Sequence, residues 1–514
     1  MKKRVWTLIL IPLLLFYALP VGAVEKEDRK WQDESIYFLM VDRFNNGDFK
    51  NDFHVNVKDP KSFHGGDFQG IIEKLDYIKD MGFTTILLTP VFDNEDKGYH
   101  GYWVKDFYNT EEHFGTIDDF KKLVQEAHKK DMKVMLNFPL SHVGPNHSWM
   151  KEADKKDWFN NQEGNQLTDS GQPIVKDWLE GLPKLNQENQ ELKNYLIDAA
   201  KWWISETNID GYYIDSVDQV SKNFMTDFVK EVKAAKDNFY LLGEVSSHDP
   251  QRIAEYQGTG MDGFIDYPLT ASLRPAFDQV DKSLVEMNKQ KEDLLSTYKN
   301  PYLMGSSMDN LNTVRFTHDT VEKNQHPGPR WKLALTYLYT TPGIPVVYYG
   351  SEIALEGGVG ADNHRQMDFR TDKDLIDYIT KLGELRNNFP SLTRGEMKWL
   401  ANEDGVTVYK RTFENETTVI AINNTSESQN ISINADQLED DKELRGLLTN
   451  DLVKSKDGHY DLILDREEAE VYVLSQKSGI NIPYVTATII VYGAFIVFIF
   501  MVWRRSKRKR AQEE

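Results

Sequence analysis

Three acidic side chains stand where short apolar runs give way to polar residues. They are Asp215 in "NIDGYYIDSVDQV", Glu244 in "FYLLGEV" and Asp319, preceded by His318, in "NTVRFTHD". A carboxylate at the mouth of a buried strand is costly to desolvate unless hydrogen bonds or opposite charge offset the loss. One such group is explained as a helix cap or an ion-pair partner. Three converging on one rim would repel one another and raise the proton affinity of at least one, which is what a general acid needs. Two carboxylates about 5–5.5 Å apart, one attacking and one donating and then accepting a proton, make the apparatus of retaining glycoside hydrolysis.

The elements that must position these residues are legible in the alternation of patterns. Apolar runs at 36–44, 84–91, 133–140, 211–217, 239–245, 263–268, 312–319 and 344–352 are interleaved with helical stretches such as "DDFKKLVQEAHKKD" and "VSKNFMTDFVKEVKAAK". Strands without polar alternation, separated by helices, predict a parallel sheet covered on its outer face. Eight such units predict an α/β fold, a closed (β/α)8 TIM barrel over 24–142 and 185–391, with its site at the C-terminal ends of the strands. Residues 143–184 are too long for a plain loop and are expected to form a small inserted domain after strand three. Over 392–476 the helical pattern stops, and "VTVYKRTFENETTVIAINNTSESQNISI" alternates as a C-terminal antiparallel β-sandwich does.

Both ends carry targeting patterns. Residues 1–23 combine Lys2, Lys3 and Arg4 with an apolar run and Val21-Gly22-Ala23, the signature of a secretory signal peptide. Residues 482–503 hold no charge and are followed by "RRSKRKR", which predicts a transmembrane helix with a cytoplasmic basic tail at 504–514. The expected location is therefore a bacterial cell membrane, crossed once, with the barrel outside. The chain has no cysteine, which excludes disulfides and thiolate chemistry. Its net charge of −20 argues against nucleic acid as a partner, and the 11 Trp, 24 Tyr and 26 Phe suit a protein that handles sugar rings.

Read together, "GFTTILLTPV", "GYHGYWVKDFYNTEEHFGT", "LPKLN", "GYYIDSV", "LLGEV", "VRFTHD" and "GIPVVYYGSE" resemble, in order, the signatures of the alpha-amylase family, glycoside hydrolase family 13, over residues 33–475. The resemblance implies cleavage of α-1,4-glucosidic bonds in starch-like glucans or maltooligosaccharides. Asp215 would be the nucleophile and Glu244 the acid/base; Asp319 would stabilise the transition state. It also implies that Tyr102 stacks under the sugar and that His142 and His318 bind it. A transglycosylase and a catalytically silent glucan-binding ectodomain are the alternatives.

The chain departs from the family pattern at several places. Tyr213 stands where an arginine pins the nucleophile, and Asn137 stands for an aspartate on strand three. Asp218-Gln219 replace a lysine and a histidine. Arg315 is the candidate to restore the missing charge. Ser141 and Lys184 occupy ligand positions of the usual calcium site, whose absence is therefore expected. A different calcium site is expected instead. Asn46, Asp48, Asn51, Asp52, the Gly65 carbonyl and Asp67 supply hard oxygens at a spacing similar to the N-terminal calcium loop of cyclodextrin glucanotransferases.

Overall fold

The computed structural model describes residues 29–160, 181–477 and 482–510, with the backbone alone for 482–489 and 505–510. The expected signal peptide and the middle of the expected insert lie outside the described residues.

Eight short strands form the centre: β1 Ile36–Leu39, β2 Thr85–Leu88, β3 Lys133–Asn137, β4 Gly211–Ile214, β5 Tyr240–Gly243, β6 Gly263–Phe264, β7 Gly305–Ser306 and β8 Ile344–Tyr348. Nearly every residue in them is buried, because helices cover the outer face and side chains fill the inside. Neighbours pair in parallel in the order β6-β5-β4-β3-β2-β1-β8-β7, and a parallel bridge between Ile265 and Gly305 joins the two edges. The sheet is thus a closed (β/α)8 barrel. The intervening helices are amphipathic and capped. Ile117–Lys129, for example, begins with a Thr116–Asp119 capping box and buries Phe120, Leu123, Val124 and Ala127.

The seventh strand is not where its apolar pattern predicts. Residues 312–319 form a loop and the start of the helix Phe316–Glu322, whose Phe316 packs edge-on against Trp331. The strand is Gly305–Ser306, a stretch with no hydrophobic signal. Its glycine suits the filled barrel: a Cβ there would lie 3.1–3.3 Å from Ile265, Val346 and Leu242 side chains, which would have to give by a few tenths of an ångström. A short hairpin, Phe92–Asn94 with Val104–Thr110, also interrupts the loop after β2.

Beyond the helix Pro390–Arg394 lie eight antiparallel strands: β9 Glu396–Glu403, β10 Val406–Phe413, β11 Glu416–Asn423, β12 Gln429–Asn434, β13 Lys442–Gly446, β14 Leu452–Lys454, β15 His459–Leu464 and β16 Glu468–Gln476. Six form a sheet in the order β9-β10-β11-β16-β13-β14, and β12 with β15 form a second layer. Val408, Val419, Ala421, Ile431, Ile433, Leu462 and Leu464 fill the space between them. Buried Arg330 joins barrel to sandwich by donating to Glu467 at 2.7 Å and to Asn424.

The expected membrane span coincides with a helix over Ile482–Arg510, and its described apolar side chains from Ile490 to Trp503 are exposed. Among the described residues, however, no helix is long and apolar enough to cross a membrane.

Candidate active site

Asp215 follows the last residue of β4, and Glu244 follows the last residue of β5. The parallel ladder runs on past both strands: Glu244 N–H donates to the Ile214 carbonyl and Val217 N–H to the Glu244 carbonyl, each at 2.8 Å. Those rungs lock the two acidic residues side by side at the barrel mouth. Ser216 takes a left-handed φ of 50°, turning the chain directly after Asp215 into the turn Val217–Gln219. Both carboxylates are buried, at 2 % and 0 % exposure.

Tyr102 lies against this pair. Burial, with the charges of Asp215 and Glu244 added, pushes its phenol well above the ordinary range, so it stays protonated beside them. The Asn137 amide at the end of β3 donates to its hydroxyl at 2.6 Å. Tyr102 N–H donates to His100 Nδ1, and burial drives the His100 imidazole well below its usual range, leaving it neutral. His142 is buried, with Nδ1 2.5 Å from Ser141 Oγ, and its backbone pairs with Lys184. The Lys184 ammonium donates to Gln219 Oε1 at 3.3 Å, and Asp218 lies 3.6 Å from Arg252.

Glu244 accepts hydrogen bonds from several side chains. The Tyr213 hydroxyl donates to Oε2 at 2.5 Å and the Tyr267 hydroxyl to Oε1 at 3.0 Å. The Asn312 amide reaches both oxygens, at 3.2 and 3.4 Å, and Ser246 Oγ lies 3.5 Å from Oε1. Tyr213, expected to replace the partner of Asp215, therefore turns its hydroxyl to Glu244.

The structure does not bring Asp319 or His318 to this cluster. Asp319 sits in the first turn of the helix Phe316–Glu322, where Arg274 Nε and Nη2 donate to it at 3.1 and 2.5 Å. Arg274 also donates to buried Asp309 at 3.1 Å. His318 faces Glu356 at 2.7 Å and Glu322 at 3.3 Å, a third exposed. The cause is the shift of β7: the residues that follow the true strand, 307–312, occupy the barrel mouth, so Asn312 reaches Glu244 instead of Asp319. Arg315 does not supply the missing charge, because its guanidinium donates to the carbonyls of Tyr349 and Asn363 and stacks 4.2 Å over Tyr348. Tyr267 and Asn312 were missed by sequence reasoning. The signal available was the polar run Asp309-Asn310-Leu311-Asn312, directly after a small-residue strand at the face where barrel sites form.

The expected calcium loop folds on itself. Asn46 Nδ2 donates to both oxygens of Asp52, at 2.9 and 3.0 Å, and both side chains crowd the position a Gly65 Cβ would take. Asn46 Oδ1 and Asn51 Oδ1 are buried without a hydrogen-bond partner, so two hard oxygens are left for a cation. Asp67 is committed differently. Its Oδ2 accepts from Gly47 and Asp48 N–H, and its Oδ1 caps the helix Phe68–Asp80 at Gly70. Asp48 Oδ1 accepts from Lys50 N–H. Among the described residues no group of three His, Asp or Glu side chains is arranged to hold a metal.

A closed barrel with two carboxylates at the ends of adjacent strands, walled by tyrosines and histidines, has the layout of a barrel glycosidase. The alpha-amylase catalytic-domain profile matches residues 38–445, and the chain belongs to the alpha-amylase family. It is 35 % identical over 463 residues to a beta/alpha-amylase of Paenibacillus polymyxa, covering 86 % of this chain and 38 % of that protein. It is 33 % identical over 394 residues to a cyclomaltodextrinase of Geobacillus thermopakistaniensis, covering 73 % and 65 %. The chain thus spans less than two thirds of both these relatives. Among solved structures, an Anoxybacillus alpha-amylase is 55 % identical with a TM-score of 0.83, and an alpha-amylase of Geobacillus thermoleovorans complexed with acarbose is 52 % identical with a TM-score of 0.82. Each alignment covers 88 % of this chain and all of the other. These relatives are glycosidases.

Proposed function

We propose that this chain binds starch-like α-1,4-glucans or maltooligosaccharides at the barrel mouth and cleaves them with retention through Asp215 and Glu244. The observation that carries this is the backbone lock holding those two buried acids on neighbouring strand ends. Asp215 would attack the anomeric carbon to form a glycosyl ester while Glu244 hands a proton to the departing oxygen; Glu244 then takes a proton from water, which hydrolyses the ester. Tyr102 lies beside both acids, and His142 stands near His100, whose Nδ1 accepts from Tyr102 N–H. The acarbose complex of a relative half identical to this chain supports an oligosaccharide ligand. Trapping a glycosyl ester on Asp215 with a fluorinated maltosyl donor tests the reading. Absence of the ester, together with an Asp215→Asn variant that behaves as wild type, overturns it.

A second reading, a glucan-binding ectodomain with little turnover, is favoured by one observation: an amide, Asn312, contacts Glu244 where the sequence had suggested a third acid. Calorimetric binding of maltotetraose without product release would select it. Transglycosylation is read from the same assay, as products longer than the substrate.

We further propose that Asn46, Asn51, Asp52 and the Gly65 carbonyl hold Ca2+, whose part is to brace the loop after β1 rather than to enter a chemical step. The chain is also read as a surface protein, exported by residues 1–23 and anchored by 482–503. The uncharged run with its exposed apolar side chains, followed by Arg504 and a basic tail, supports this. Release of the protein into the medium by truncation at 481 tests it, and retention of that truncated form at the membrane refutes it.

A further inference from the structure

Two neighbouring side chains in the loop after β8 grip the segment that carries Asn312. Asn363 Nδ2 donates to the Asn310 carbonyl at 3.0 Å and to the Thr313 carbonyl, and His364 Nε2 lies 3.1 Å from the Leu311 carbonyl. The carbonyls on either side of Asn312 are thus held from one loop. Both gripping residues are buried, at 1 % and 0 % exposure. Burial pushes the His364 imidazole down to about 3, so it is neutral near pH 7 and carries a single N–H. The Leu311 carbonyl can only accept, which puts that proton on Nε2. Nδ1 then accepts from the Tyr99 hydroxyl, 3.1 Å away. Asn363 is fixed in turn, because its carbonyl accepts from Arg315 Nε and Nη2 at 3.2 and 3.0 Å.

The gripped segment sets the surroundings of Glu244. The Asn312 amide donates to both of its oxygens, and the Asn310 amide donates at 3.1 Å to the Tyr267 hydroxyl, which donates to Oε1. Burial and the neighbouring Asp215 carboxylate favour a proton on Glu244, as its acid role needs, while these partners aim its oxygens. Proton transfer to a departing oxygen works only within hydrogen-bond reach, and a misplacement of about 1 Å costs about a hundredfold in rate. We propose that Asn363 and His364 are positioning residues for the acid step: by clamping the backbone around Asn312 they hold the Glu244 carboxyl where it can protonate the leaving oxygen of a glucan. This rests on Asp215 and Glu244 being the reacting pair.

The test uses the full chain and two donors, maltotetraose and α-maltosyl fluoride. Cleaving maltotetraose breaks a C–O bond and needs the Glu244 proton on the departing oxygen. Fluoride instead leaves as an anion with the bonding pair while an Asp215 oxygen bonds to the anomeric carbon. The quantity read is the ratio of kcat/KM for maltotetraose to kcat/KM for the fluoride. In His364→Leu, which keeps bulk and loses the N–H, that ratio is expected to fall by about tenfold or more. Asn363→Ala is expected to lower it in the same direction. His364→Gln, which retains an N–H donor, is expected to stay within about threefold of wild type. A mere loss of folded protein scales both donors alike and leaves the ratio unmoved. An unchanged ratio in His364→Leu, or in Asn363→Ala should the leucine variant not fold, overturns the proposal. So does a glutamine variant with a ratio as low as that of the leucine variant. An ester on Asp215 with an unmoved ratio sinks this inference alone. No ester and no turnover of either donor by the wild type sinks the retaining mechanism and this inference with it.

Discussion

The substitution Asp319→Asn separates the geometry described above from the role that sequence similarity assigns to Asp319. In the structure its carboxylate accepts two bonds from Arg274, whose side chain is 13 % exposed while that of Asp319 is 28 % exposed. A charge-assisted pair of this kind is worth about 1.5–3 kcal/mol when well buried, and solvent screening at this exposure brings it to about 1–2 kcal/mol. Arg274 keeps its bonds to Asp309 and the Met308 carbonyl, which limits the loss. An unfolding entropy of about 2.1 cal/mol/K per residue over roughly 440 folded residues converts that into a fall in Tm of about 1–2 °C. Because Asp319 contacts no member of the Glu244 cluster, kcat/KM for maltooligosaccharides should change by less than about threefold. Calorimetry and steady-state kinetics on the same preparation read both numbers. A loss of about a hundredfold or more in kcat/KM at unchanged Tm would refute the reasoning and return Asp319 to the reacting centre.

Three other outcomes follow from the structure. Burial lowers the imidazole of His147 to about 4 and that of His364 to about 3, so below pH 6.5 the unfolded chain binds protons that the folded chain does not. Stability is therefore expected to fall by about 2–4 kcal/mol from pH 7 to pH 5, partly offset by Asp42, whose carboxyl burial raises to about 6; a urea midpoint independent of pH over that window would contradict this. Gly305→Val forces a branched side chain against Ile265, Val346 and Leu242 and is expected to cost about 1–3 kcal/mol, read as a lower denaturation midpoint; wild-type stability would mean the barrel interior is looser than described. Chelation with EGTA should lower Tm and added Ca2+ restore it, with the difference abolished in Asn46→Ala/Asn51→Ala; a chelator-insensitive wild type refutes the loop site.

The architecture was readable from the chain because its signal is local. Apolar runs such as "TILL" and "YLLG" have no polar face, so they must be covered on both sides, and the helical stretches between them supply the cover. The same locality explains the failure at β7. Gly305–Ser306 is a strand because a closed barrel needs an eighth rung and has room there only for a small residue, a demand that arises from Ile265, Val346 and Leu242 and leaves no mark in the neighbouring sequence. The apolar residues of "NTVRF" mimic a strand but are used to seat a helix against Trp331.

For the candidate site, sequence alone determined that Asp215 and Glu244 end buried strands, since each closes an apolar run. The partners of these acids were decided by tertiary structure. Tyr213 points to Glu244 because β5 lies beside β4, and Asn312 reaches the same carboxylate because the bridge that closes the barrel sets where the chain leaves β7. Side-chain hydrogen bonds between residues 31 and 68 positions apart depend on the register of a closed sheet, and that register exists only once all eight strands are in place.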